Sequence, residues 1–128
     1  MEKDYKYYVD LCKKQDYERV FPDIEEMNNS KDFYKENGFH YEETWNLDTE
    51  IIKFIVPRLA YLRDITDGYP SDLNSYEEWV DILNQILDGF EHYLIIMEGE
   101  VSALEDIGQN KFKKAFELFT KYFGNLWD

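Results

Sequence analysis

A chain of 128 residues makes one domain, and it can bury a little under ~70% of its unfolded surface without a disulfide or metal staple. It carries 28 acidic against 14 basic residues, a formal charge of −14. That charge excludes free binding to DNA, RNA or anionic lipid, which all need a cationic surface, and leaves basic proteins as the natural partners.

From the N-terminus, Tyr5, Tyr8, Val9 and Cys12 recur at helical spacing, so a short amphipathic helix is predicted over residues 2–15. Cys12 lies on its apolar stripe and reads as a small core residue rather than a nucleophile. Tyr17, Val20, Phe21, Ile24 and Met27 continue the rhythm, with a break expected at Pro22. Asn28-Asn29-Ser30 reads as a loop, with Ser30 capping a short turn over Lys31–Glu36 that Asn37-Gly38 closes.

The stretch from Thr44 to Ile65 is read as the one around which the chain is organised. Ile51, Ile55, Leu59 and Leu62, flanked by Ile52, Val56 and Ala60, form a wide apolar stripe on a helix over residues 46–65. Thr44, Asn46 and Asp48 are its candidate caps. Pro57 removes the hydrogen bond to the Lys53 carbonyl, so a kink is expected with the helix continuing beyond it. Gly68-Tyr69-Pro70 ends the segment.

Ser75 with Glu78 three residues later is a capping box. It opens a long helix over residues 76–97, on which Trp79, Ile82, Leu83, Ile86, Phe90, Tyr93, Leu94 and Met97 keep strict spacing. Gly89, inside it, suits a close helix crossing. Residues 98–108 read as a polar hinge, helical in part. A third strong helix over 109–126 sets Phe112, Ala115, Phe116, Phe119, Phe123 and Leu126 on one face, with Trp127 tucked against the body. Phe116 and Ile55 are expected in the core. No stretch alternates at period two, so no strand is predicted.

The fold class is therefore all-α: a compact bundle of three main amphipathic helices plus short N-terminal helices. The single cysteine permits no intramolecular disulfide and fits a reducing compartment. The charged first residues lack a signal peptide's apolar region, and no apolar run approaches the ~20 residues that span a membrane. Twenty-three aromatic residues (11 Tyr, 9 Phe, 3 Trp) exceed what one small core requires. A homodimer that buries part of the N-terminal aromatic set is expected.

Three stretches resemble a family of small bacteriophage proteins: Glu43-Thr44-Trp45-Asn46-Leu47-Asp48, Pro57-Arg58-Leu59, and Gly68-Tyr69-Pro70. So do Glu78-Trp79, Gly89-Phe90-Glu91, and the closing Lys121-Tyr122-Phe123 with Asn125-Leu126-Trp127-Asp128. The resemblance covers residues 38–128 and leaves 1–37 as an N-terminal extension packed on that core. It implies a phage protein acting in the host bacterial cytoplasm and carries over no catalytic residue.

The residues offer little to enzymatic chemistry: there is no nucleophile elbow and no phosphate-binding glycine loop. His40 and His92 lack the paired Glu-x-x-His spacing of a di-iron bundle, so neither metal nor cofactor is expected. The charge pattern says more. No Lys or Arg falls between Arg63 and Lys111, an interval holding twelve acids. Glu77, Asp81, Asp88 and Glu91 fall on one face of the long helix. A row of carboxylates can imitate a phosphate strand, although such a face more often only keeps a helix solvated.

The leading expectation is a non-enzymatic, DNA-mimic-like inhibitor that uses this row on a basic or nucleic-acid-binding host protein, such as a defence factor. One alternative is a sponge for a nucleotide signal, with Lys53, Arg58 and Arg63 as anion ligands and Tyr61 or Tyr69 stacking on the base. Another is a structural or assembly protein of the phage.

Overall fold

The computed structural model describes residues 3–14, 23–98 and 105–128. Among them the helices are α1 (Tyr5–Lys14), α2 (Ile24–Asn37), α3 (Leu47–Ile65), α4 (Tyr76–Glu98) and α5 (Glu105–Lys121). Short 3-10 turns at Tyr41–Thr44 and Phe123–Asn125 complete them. No described residue lies in a strand, as expected of an all-α bundle. The predicted rhythm at Tyr17, Val20 and Phe21, the break at Pro22 and the first part of the hinge fall outside the described residues.

The helix over 47–65 is not the hub of the bundle. α4 is: it packs against α3 on one side and, most extensively, against α5 on the other, while α1 lies on α3. A helix with neighbours on two sides needs apolar residues over most of its circumference. α4 supplies them, with Leu83, Ile86, Leu87, Phe90 and Leu94 all sealed from solvent. Its start follows the capping chemistry. Ser75 Oγ accepts from the Glu78 backbone N–H at 3.2 Å, and Glu78 Oε2 accepts from the Asn74 N–H at 3.0 Å.

At Gly89 the α4 backbone meets α5. A Cβ built there would lie 2.4 Å from the Ala115 Cβ and 2.6 Å from the Lys111 carbonyl oxygen. The predicted close crossing is therefore present. Beyond it Phe90 packs among the rings of Phe112, Phe116 and Phe119.

Five local expectations need correction. Asn28-Asn29-Ser30 is not a loop: α2 runs unbroken through it, N-capped by Asp23, whose Oδ1 accepts from the Glu26 N–H at 2.8 Å. Ser30 is buried inside that helix and bonds His40 Nδ1 at 3.1 Å instead of capping anything. The buried row of α3 is Ile52, Val56, Leu59, Ala60 and Arg63, so Ile51 faces solvent and Ile55 is only half-buried. Phe116 is 45% exposed at the outer edge of the aromatic cluster, and its place in the core is taken by Ala115 and Tyr122. Trp127, expected against the body, is 74% exposed.

α3 continues through Pro57, as predicted. The proline leaves the Lys53 carbonyl without its intrahelical donor. The buried thiol of Cys12 approaches that carbonyl at 3.8 Å and donates to it from α1. Gly38 closes α2 at φ 78°, the left-handed conformation that glycine adopts without strain.

Candidate functional site

The acidic row on α4 is divided by its surroundings. Glu77 and Asp81 are exposed on the first turns, and Asp81 accepts from the Gln85 amide at 2.8 Å. Asp88 is half-buried and paired with Lys111 of α5 at 3.1 Å, with His92 Nε2 3.2 Å from the same ammonium.

Glu91 is not on the solvated face at all. It is 5% exposed, and the N-terminal segment lies over it. Lys3 Nζ donates to both carboxylate oxygens at 3.1 and 3.0 Å, and the Tyr7 hydroxyl donates to one at 2.5 Å. The expectation of a four-residue solvated row is corrected accordingly: the carboxylates at its C-terminal end are neutralised from outside α4. The consequence is visible in the partners. The hydrogen bond to Glu91, then burial, raises Tyr7 above its ordinary value. At Lys3 burial lowers the ammonium, but hydrogen bonding to Glu91 and its charge outweigh that and leave it raised.

The acids that remain open are at the other end. Asp67 and Asp72 in the α3–α4 connection are exposed, as are Glu77, Glu78 and Asp81 at the start of α4. No ion pair among the described residues engages any of these five. Asp67 and the C-terminal Asp128 line a cleft of about 230 Å³ with Tyr69, Pro70, Trp79 and Trp127. Clustered carboxylates without counter-charges project a negative field into solvent, which can attract and orient a cationic partner.

The five candidate nucleotide-binding residues do not converge. Arg63 is buried: it donates to Asp64 at 3.0 Å, to the Asn84 side chain at 2.7 Å and to the Lys3 carbonyl. Arg58 is exposed and lies against its own helix, donating to the Phe54 carbonyl at 2.9 Å with its guanidinium 3.8 Å from the Phe54 ring centre. Lys53 is 3.9 Å from Glu50. Lys53 and Arg58 share an open groove of about 560 Å³ whose lining also includes the acids Glu43 and Glu50. Tyr61 stacks edge-on to Tyr5, and Tyr69 belongs to the cleft beside Trp127. The nucleotide-sponge arrangement is therefore not assembled among these residues. His40, bonded to Ser30 and stacked on Tyr34, is far from a ligand set. No group of three or more His, Cys, Asp or Glu among the described residues could hold a metal. No described helix is long and apolar enough to cross a membrane.

Sequence reasoning missed the contact between α3 and α4 made by Asp48 and Tyr93, whose hydroxyl donates to Oδ2 of Asp48. Burial first, and then this hydrogen bond, push the Tyr93 hydroxyl up to about 12, and the same bond lowers Asp48 below the ordinary carboxylate value. The two shifts act at opposite ends of the pH scale. The raised tyrosine contributes stability that is complete below its ordinary value of 10 and is lost as pH rises through about 12. The lowered aspartate contributes above its ordinary 3.8 and loses its effect as pH falls through the lower folded value. Ultraviolet titration should therefore show a tyrosine that ionises near 12 together with loss of helix, and Tyr93→Phe should remove that step. An unchanged titration curve in the variant would exclude the assignment.

No family model matches the chain, and no solved structure matches it. A stretch of 54 residues is 37% identical to a probable kinetochore protein, NDC80, of Candida glabrata. That stretch is 42% of this chain but 8% of the kinetochore protein's length. The chain thus spans less than a tenth of that protein, and the likeness establishes neither a family nor an activity.

Proposed function

We propose that the chain is a non-enzymatic acidic binding protein of a bacteriophage, acting in the host bacterial cytoplasm. There it binds, and inhibits or retunes, a basic host protein that handles nucleic acid. The observation that carries this reading is the cluster Asp67, Asp72, Glu77, Glu78 and Asp81. All five are exposed, and none has a cationic partner among the described residues. The interval from Asp64 to Asn110 contains no Lys or Arg to soften their field. Carboxylates along a helix start and its incoming loop offer a basic groove negative charge of the kind it would otherwise find on a phosphate backbone. Asp88 and Glu91 are left out of the binding surface because Lys111 and Lys3 already neutralise them.

The test is copurification from infected cells, followed by binding kinetics with the protein that comes down. The variant Glu77→Gln, Glu78→Gln, Asp81→Asn keeps the side-chain oxygens and hence the capping geometry at the start of α4. It should associate about tenfold or more slowly at low salt. The wild type should approach the variant's rate as salt rises toward ~1 M, where the screening length falls to ~3 Å. Equal rates without salt dependence would show that the cluster serves solvation only.

A further inference from the structure

α3 is apolar on the side it buries and also on the side it does not. Leu47, Ile51, Phe54, Arg58, Tyr61 and Ile65 alternate at spacings of four and three, the seam of a coiled coil. They run along α3 opposite the buried row Ile52, Val56, Leu59, Ala60 and Arg63. All but Arg58 are large apolar or aromatic residues, each between 46 and 61% exposed. A helix apolar on two opposite faces is suited to packing on both. Within the subunit α1 and α4 cover only part of α3.

We infer that this seam is a homodimer interface in which α3 of one copy packs antiparallel on α3 of a second. Three observations select a second copy as occupant. The seam is symmetric about residue 56, so reversing one copy sets Leu47 against Ile65, Ile51 against Tyr61, and Phe54 against Arg58. The guanidinium that now covers its own Phe54 ring can then cover the ring of the other copy. Charge agrees. In a chain of net charge −14, α3 is neutral, with Asp48, Glu50 and Asp64 balanced by Lys53, Arg58 and Arg63. Two copies meet least electrostatic opposition along this helix. Area agrees as well. A helix of 19 residues is about 28 Å long. Half-exposed side chains of this size along it, extended by the exposed indole of Trp45, present on the order of 600 Å². A stable interface takes ~800 Å² from each partner, so the seam supplies most of it. The N-terminal aromatics, by contrast, already serve the subunit itself: Tyr8 is in the core and Tyr5 is half-buried against Tyr61. The interface uses none of the acidic residues of the proposed binding surface and stands or falls without it.

Sedimentation equilibrium on the full chain should give twice 15.5 kDa. The double variant Ile51→Glu, Phe54→Glu should weaken association by at least about 100-fold and sediment at 15.5 kDa. Phe123→Glu, an equally exposed site on the C-terminal turn, should remain dimeric. A second arm does not depend on the charged variant folding. A chain carrying Phe54→Cys mixed with one carrying Arg58→Cys should oxidise to the mixed disulfide faster than either forms one with itself. A wild type that stays monomeric up to about 100 µM, a dimer indifferent to the double variant, or disulfides only between like positions would each overturn the inference.

Discussion

Phe90→Ala should destabilise the protein by about 3–5 kcal/mol. The Phe90 ring is fully sealed from solvent and touches Phe112, Phe116 and Phe119 of α5. Its removal opens a cavity between the two helices that make the most extensive contact in the bundle. The surrounding rings are held by their own backbones and close the space only in part, so both the transfer term and the cavity term are lost. Against a net stability of ~5–15 kcal/mol, that is a large fraction of the whole. Urea unfolding should show a lower midpoint at an unchanged slope. A shift of only a few tenths of a kcal/mol would mean that α5 does not pack on α4 in solution as described.

The second large effect is expected one residue earlier. Gly89→Ala improves helix propensity by ~1 kcal/mol, and in an isolated helix it would stabilise. Here the new methyl would stand 2.4 Å from the Ala115 Cβ and 2.6 Å from a backbone oxygen, that of Lys111. A backbone cannot rotate aside as a side-chain tip can, so α5 as a whole must shift and the Phe90 cluster with it. Net destabilisation of about 1–3 kcal/mol is expected for Gly89→Ala, and more for Gly89→Leu. Combining Gly89→Ala with Ala115→Gly should recover only part of the loss, because the Lys111 carbonyl remains. Stabilisation by Gly89→Ala alone would show that the crossing is looser than these distances.

What could be read from the sequence was set by locality. The Ser75–Glu78 cap, the Gly38 stop and the α4 stripe depend on residues within a few positions of one another, and each was legible. Asn28-Asn29-Ser30 was not: its polar, turn-favouring side chains suggest a loop, but Asp23 starts a helix upstream and the bond from Ser30 to His40 gives the hydroxyl a partner once it is inside. Nor does periodicity settle which side of α3 faces inward, since a helix apolar on both sides has no preferred stripe. The packing of α1 and α4 together decides it, and so turns Ile51 outward. Glu91 is the sharpest case for the candidate site. Its spacing groups it with Glu77 and Asp81, but Lys3 and Tyr7, more than eighty positions away in the chain, take it out of solvent. Charge patterns report how many carboxylates a face carries, not which of them a distant segment will neutralise.

Pro57 and Cys12 are separated by 45 residues but behave as one unit. The proline creates a vacancy in the hydrogen-bond ladder of α3, and the thiol of α1 is the plug that fits it. A regular residue at 57 would donate to the Lys53 carbonyl from within α3, so the contact from the thiol goes with the proline. The break in the ladder of α3 thus becomes a point of attachment for α1.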